Sequence, residues 1–60
     1  MTYLIIGASS GLGRELAEEF AKNNKNLLLV SRDERDLLAI KSDLTLKYNI
    51  SVDYISLDFS

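Results

Sequence analysis

Apolar residues fall along the chain in blocks whose spacing alternates between unbroken runs and fourfold repeats. Tyr3–Ile6 is a short apolar run ending in two isoleucines and stopped by Gly7, the pattern of a buried strand. Beyond the glycines, Leu12, Leu16 and Phe20 recur at every fourth position with Ala17 and Ala21 beside them. Arg14, Glu15, Glu18, Glu19 and Lys22 hold the other face, which predicts an amphipathic helix buried along Leu12, Leu16 and Phe20. That helix should stop in Asn23-Asn24-Lys25-Asn26, because Asn tolerates the left-handed backbone that helix ends often need.

Leu27–Val30 is apolar at every position, as in a strand covered on both faces. Ser31 and Asp33 are candidate N-caps for a second helix, and Glu34 and Asp36 suit its positive end. Its buried stripe should be Leu37, Ile40 and Leu44, with Leu38 alongside. A third strand is expected over Ile50–Leu57, where Ile50, Val52 and Tyr54 alternate with Ser51 and Asp53. There is no internal repeat, no low-complexity segment, no linker and no Pro.

Strand, helix, strand, helix, strand is an α/β pattern: a βαβαβ half of a Rossmann fold, with a three-stranded parallel sheet. Right-handed crossovers set the strands in the order 3-2-1 and both helices on one face. The opposite face is then uncovered and one side of strand 1 is unpaired. A second strand written for burial on both sides therefore implies partners.

Length sharpens that implication. A chain of 60 residues hides only about 60% of its unfolded surface, so it should gain stability from association or belong to something larger. With no Cys and no His, a disulfide or ordinary zinc site is excluded, and we expect no metal. Hydrophobic residues at 47% and charged residues at 27% fit a globular chain. A net charge of −2 gives no electrostatic case for nucleic acid or an anionic membrane. Met1–Ile6 lacks the basic flank of a secretory signal, and no apolar run reaches the roughly 20 residues of a membrane helix. The expectation is a cytoplasmic setting.

The chemistry is concentrated in Gly7-Ala8-Ser9-Ser10-Gly11-Leu12-Gly13, at the junction of the first strand and helix. Pyrophosphate must approach backbone N–H groups at a helix N-terminus, and a β-carbon would block it. Gly7 lets the chain turn off the strand, Gly11 permits the close approach, and Gly13 lets the helix pack on the sheet. Ser9 and Ser10 add hydroxyls that can reach phosphate or the adenosine ribose. Glycines also mark turns that bind nothing, but the preceding strand, following helix and well-spaced second strand favour a nucleotide site.

This Gly-x-x-x-Gly-x-Gly spacing resembles the turn of the short-chain dehydrogenase/reductase family, not the commoner fingerprint with one residue between its first two glycines. The resemblance runs through the whole chain, which corresponds to roughly the first quarter of such an enzyme, the N-terminal part of a single NAD(P)-binding domain over 1–60. It implies an oxidoreductase moving hydride between a dinucleotide and a carbonyl or alcohol, with Gly7, Ser9, Ser10, Gly11, Leu12 and Gly13 forming the cofactor turn. The family usually has Thr before the first glycine. Ile6 stands there, so bonds made by that hydroxyl would be lost.

The end of the second strand separates NAD from NADP. In NAD binders an acidic residue about 20 positions beyond the glycines accepts from the ribose 2′-hydroxyl. Ser31 holds that place, followed by Arg32, which can grip a 2′-phosphate. Both residues favour NADP over NAD. Two alternatives stand beside this: Arg32 paired with Glu34 or Asp36, and Asp33 swinging toward the ribose. In the resembled family an Asp where Asp58 lies bonds the adenine amino group, and Phe59 would touch the adenine region; a structural cap is the other reading of Asp58.

The family's chemistry uses Tyr-x-x-x-Lys, and none of Tyr3, Tyr48 or Tyr54 has Lys four residues on. No catalytic residue is therefore expected within these residues, and the chain alone is expected to be inactive. Tyr3 and Tyr54 read as strand residues and Tyr48 as the end of the second helix. Two other classes remain open: a non-catalytic nucleotide-binding module, and a module that self-associates through the bare sheet face or the edge of strand 1.

Overall fold

The computed structural model describes residues 1–58 and contains five elements: β1 (Thr2–Ile6), α1 (Gly11–Lys22), β2 (Asn26–Ser31), α2 (Glu34–Lys47) and β3 (Val52–Ser56). The strands form one sheet in the order β1-β2-β3, all parallel, the arrangement predicted from the sequence. Tyr3 pairs with Leu27 and Ile5 with Leu29, and β2 continues the register through Leu27 to Val52 and Leu29 to Tyr54.

Residues in register across parallel strands point to the same face. Ile5, Leu27, Leu29 and Val52 meet Ala17 and Ala21 of α1 and Leu37, Ile40 and Leu44 of α2 in one core, so both helices cover the same side. Tyr3 closes one end of that layer against Phe20, ring centroids 4.7 Å apart. On the other side, Leu4, Ile6 and Ile55 are open to solvent around Leu28 and Val30 of the central strand. The apolar run of β2 is thus written for two covers, and the described residues supply one.

The buried stripe of α1 differs from the expected one. It is Gly13, Ala17 and Ala21, whereas Leu12 is 72% exposed and Leu16 45% exposed. The reason is distance: a Cβ on Gly13 would stand 2.3 Å from the Gly7 carbonyl oxygen, so only small residues fit where this helix approaches the sheet. Leu12 and Leu16 are displaced to the flank. In α2 the expected stripe of Leu37, Ile40 and Leu44 is buried, and Leu38 turns outward.

Boundaries differ from expectation at the end of β2 and in β3. Ser31 belongs to β2 and Asp33 alone caps α2, its carboxylate accepting from the Arg35 and Asp36 N–H groups. β3 is shorter than expected, because Ile50 and Ser51 precede the first paired residue, Val52. Asn24 takes the left-handed conformation, φ 62°, that ends α1, and Tyr48 caps α2. No described helix is long and apolar enough to cross a membrane.

Candidate functional site

The junction between β1 and α1 is fastened to the central strand by its own backbone. The N–H groups of Gly7 and Ala8 both donate to the Val30 carbonyl, at 2.8 and 3.2 Å. Ile6 is the last residue of β1, in register with Val30, and its exposed side chain offers no hydroxyl; the backbone bonds secure the turn there. Gly7 has φ +76°, a conformation that residues with a Cβ rarely adopt, so the change of direction depends on glycine there.

Ser10 caps α1. Its hydroxyl donates to the Gly7 carbonyl at 2.8 Å and accepts from the Gly13 N–H at 3.1 Å. This leaves the Gly11 and Leu12 N–H groups at the mouth of the helix without an acceptor among the described residues. A Cβ on Gly11 would meet nothing within 4 Å, so the space above those groups is open. The first turn of α1 carries no acidic residue, and the positive end of the helix is not neutralised by the chain itself. Polarity of this kind at a helix N-terminus suits an anionic group.

Beside it, β2 ends in Ser31, only 6% exposed, whose hydroxyl is hydrogen-bonded to that of Ser9. Arg32 follows on the surface. Its carbonyl accepts from the Ser56 hydroxyl at 3.0 Å, and its guanidinium forms no ion pair among the described residues. The alternative pairing of Arg32 with Glu34 or Asp36 does not occur among the described residues. Asp33 is held by its capping bonds to α2, at 3.0 and 3.4 Å. Asp58 lies exposed beyond β3 at the same end of the sheet, and the residue expected beside the adenine, Phe59, falls outside the described residues.

The sequence pattern that defines short chain dehydrogenases matches residues 1–60, from end to end. The chain belongs to the short chain dehydrogenase family. It is 43% identical over 56 residues to a very-long-chain 3-oxoacyl-CoA reductase of Eremothecium gossypii, covering 93% of this chain and 16% of that protein. It is 37% identical to the human inactive hydroxysteroid dehydrogenase-like protein 1, over 95% of this chain and 17% of that one. Among solved structures, a short-chain dehydrogenase from Sphingobium yanoikuyae in complex with NADPH superposes with a TM-score of 0.92 at 40% identity. That match covers 95% of this chain and 22% of the other. The chain therefore spans about one sixth of the length of the curated relatives it matches. It is an N-terminal segment of this oxidoreductase family, with the Rossmann half fold.

Sequence reasoning located the turn between β1 and α1 but missed two uses of serine. Ser10 reads as a phosphate-facing hydroxyl and is the cap of α1; a Ser three residues before a buried helical position was the available signal. Ser31 reads as a non-acidic residue at the place a carboxylate holds in NAD binders, and it is a bonded partner of Ser9. The tyrosines lie away from the opening. Tyr3 stacks on Phe20, Tyr48 ends α2, and Tyr54 donates to Glu34 at 3.2 Å with Lys41 5.8 Å from its ring. Desolvation, together with the hydrogen bond and charge of Glu34, raises the Tyr54 pKa above its ordinary 10.0. Among the described residues no cluster of acidic side chains could hold a metal.

Proposed function

We propose that this segment holds NADP(H) for a carbonyl or alcohol oxidoreductase, and that residues 1–60 are part of a single NAD(P)-binding domain. The observation that carries the proposal is the pairing of an open helix mouth with an uncommitted arginine. The Gly11 and Leu12 N–H groups would bind pyrophosphate, and Gly11 leaves room for its approach. Arg32, free of ion pairs among the described residues, would bind the 2′-phosphate. Asp33 caps α2 through its Oδ1, which supports a structural role for its carboxylate. The NADPH bound by the Sphingobium yanoikuyae relative supports the same choice of cofactor.

In the remaining roles, Gly7 and Gly13 shape the turn, Ser10 aims the first-turn amides, and Ser9 and Asp58 stand at the rim. The bound dinucleotide supplies hydride; the described residues bind and orient it, and the Tyr-x-x-x-Lys pair does not occur in this sequence. Fluorescence titration of the chain with NADPH and with NADH tests the reading. Tighter binding of NADPH supports it, and equal binding or tighter NADH would remove the 2′-phosphate role.

The open sheet face supports a second reading in which the chain self-associates. Leu4, Ile6 and Ile55 are each about half exposed or more, and the outer edge of β1 has no strand beside it among the described residues. Sedimentation at increasing concentration should show a dimer or larger species; a monomer at every concentration contradicts self-association and leaves the cofactor proposal standing.

A further inference from the structure

The Ser9 and Ser31 hydroxyls are 22 residues apart in sequence and bonded to each other where the glycine turn meets the end of β2. Ser31 is the buried polar residue of the described core, at 6% exposure, and Ser9 is half-buried. A buried hydroxyl needs a partner, and each of these supplies the other's. Other bonds fix the same strand end from both sides. Gly7 and Ala8 donate to the Val30 carbonyl, Leu57 donates to the Ser31 carbonyl at 2.8 Å, and the Ser56 hydroxyl holds the Arg32 carbonyl. The backbone bonds fasten the start of the turn. Among the described residues, the serine pair is the side-chain bond that ties its middle to β2, next to the cap at Ser10.

From this geometry we propose that Ser9 and Ser31 form a latch that sets the distance between the open amides of α1 and the guanidinium of Arg32. The inference rests on the cofactor reading above, since a span between two phosphate contacts matters only if both are made. Ser9 and Ser31 act as positioning residues: Ser31 touches Ser9, Ser9 lies in the turn that leads to the amides, and Ser31 precedes Arg32. Removing either hydroxyl breaks the same bond, so the two losses cannot add. An acidic residue at position 31 would place a carboxylate against Ser9, changing the turn as well as the charge near the ribose.

A double-mutant cycle tests the latch. Ser9→Ala, Ser31→Ala and the double variant should each weaken NADPH by a similar factor, about three- to tenfold for one hydrogen bond, and Ser9→Thr should restore binding. Additive losses would overturn the proposal, as would a loss for Ser9→Ala with none for Ser31→Ala, because Ser9 would then touch the ligand directly. Amide exchange in the ligand-free chain gives a second readout. The Ser10 N–H, bonded to the Gly7 carbonyl at 3.0 Å, should exchange faster in both single variants relative to amides of α2. If the unaltered chain binds no NADPH, the cofactor reading fails and exchange decides the latch: unchanged Ser10 protection overturns it, and matched acceleration in both variants supports it.

Discussion

The two strand-to-helix junctions have the same architecture and opposite chemistry. Where β1 enters α1, the chain uses Gly7, Ala8, Gly11 and Gly13 with serine hydroxyls, and no acidic side chain stands in the first helical turn. Where β2 enters α2, Asp33 occupies the helix mouth and Glu34 and Asp36 fill its first turn. A helix N-terminus attracts negative charge in both cases. The second junction satisfies that attraction with its own carboxylates, whereas the first keeps it available. Arg32, at the second junction, then adds a cation within the same end of the sheet. The difference between a closed and an open helix mouth is what makes this end of the segment a candidate binding surface.

Gly13→Ala should give the largest effect on that comparison. The new Cβ would stand 2.3 Å from the Gly7 carbonyl oxygen and 2.9 Å from the Ala8 Cα, both backbone atoms of the turn. Overpacking of this kind costs about 3 kcal/mol, enough to unfold much of a small domain, and urea denaturation should record it. Retention of full stability would mean that the junction is looser than described.

Gly11→Ala separates folding from binding. Its Cβ meets no atom of the chain, and Ala is the better helix former, so stability should hold or rise by a few tenths of a kcal/mol. Binding of NADPH and NADH should fall together by tenfold or more, because the methyl group occupies the approach to the open amides. Unaltered affinity in titrations would show that no phosphate comes close to Gly11.

The smallest effect concerns the closed junction and pH. Tyr54 donates to Glu34, the first residue of α2, and its pKa is raised above 10.0 by desolvation and by that carboxylate. Lys47 is also raised above 10.5, by its bond and proximity to Asp43 and by the charge of Glu18. A raised folded pKa contributes stability that is complete below the unfolded value and is lost as pH climbs through the folded one. Thermal stability should therefore show no loss from these groups up to pH 10 and decline beyond it. Tyr54→Phe should flatten part of that decline without touching the open junction.

The element order, the parallel sheet and the glycine turn were legible because each is written locally. A strand period, a helix period and a fixed glycine spacing need no knowledge of distant residues. The expected burial of Leu12 and Leu16 was wrong because periodicity ranks residues by hydrophobicity, whereas a close helix-to-sheet approach selects Gly13, Ala17 and Ala21 by size. Ser31 was legible as a residue that is not acidic, but its bond to Ser9 joins positions that only the folded sheet brings together. The run Leu27–Val30 was legible as a strand; among the described residues helices cover one of its faces, and the other lies beside the exposed Leu4, Ile6 and Ile55, as the one-sided helix arrangement implied.

Arg32→Asp is the most direct test of the claim that an open helix mouth and an uncommitted arginine make an NADP site. A charge-assisted pair is worth roughly 1.5–3 kcal/mol, so titration should show NADPH weakened by about ten- to a hundredfold. NADH, which lacks the 2′-phosphate, should change little or improve. Equal weakening of both dinucleotides would contradict the assignment of Arg32 and, with it, the preference for NADP.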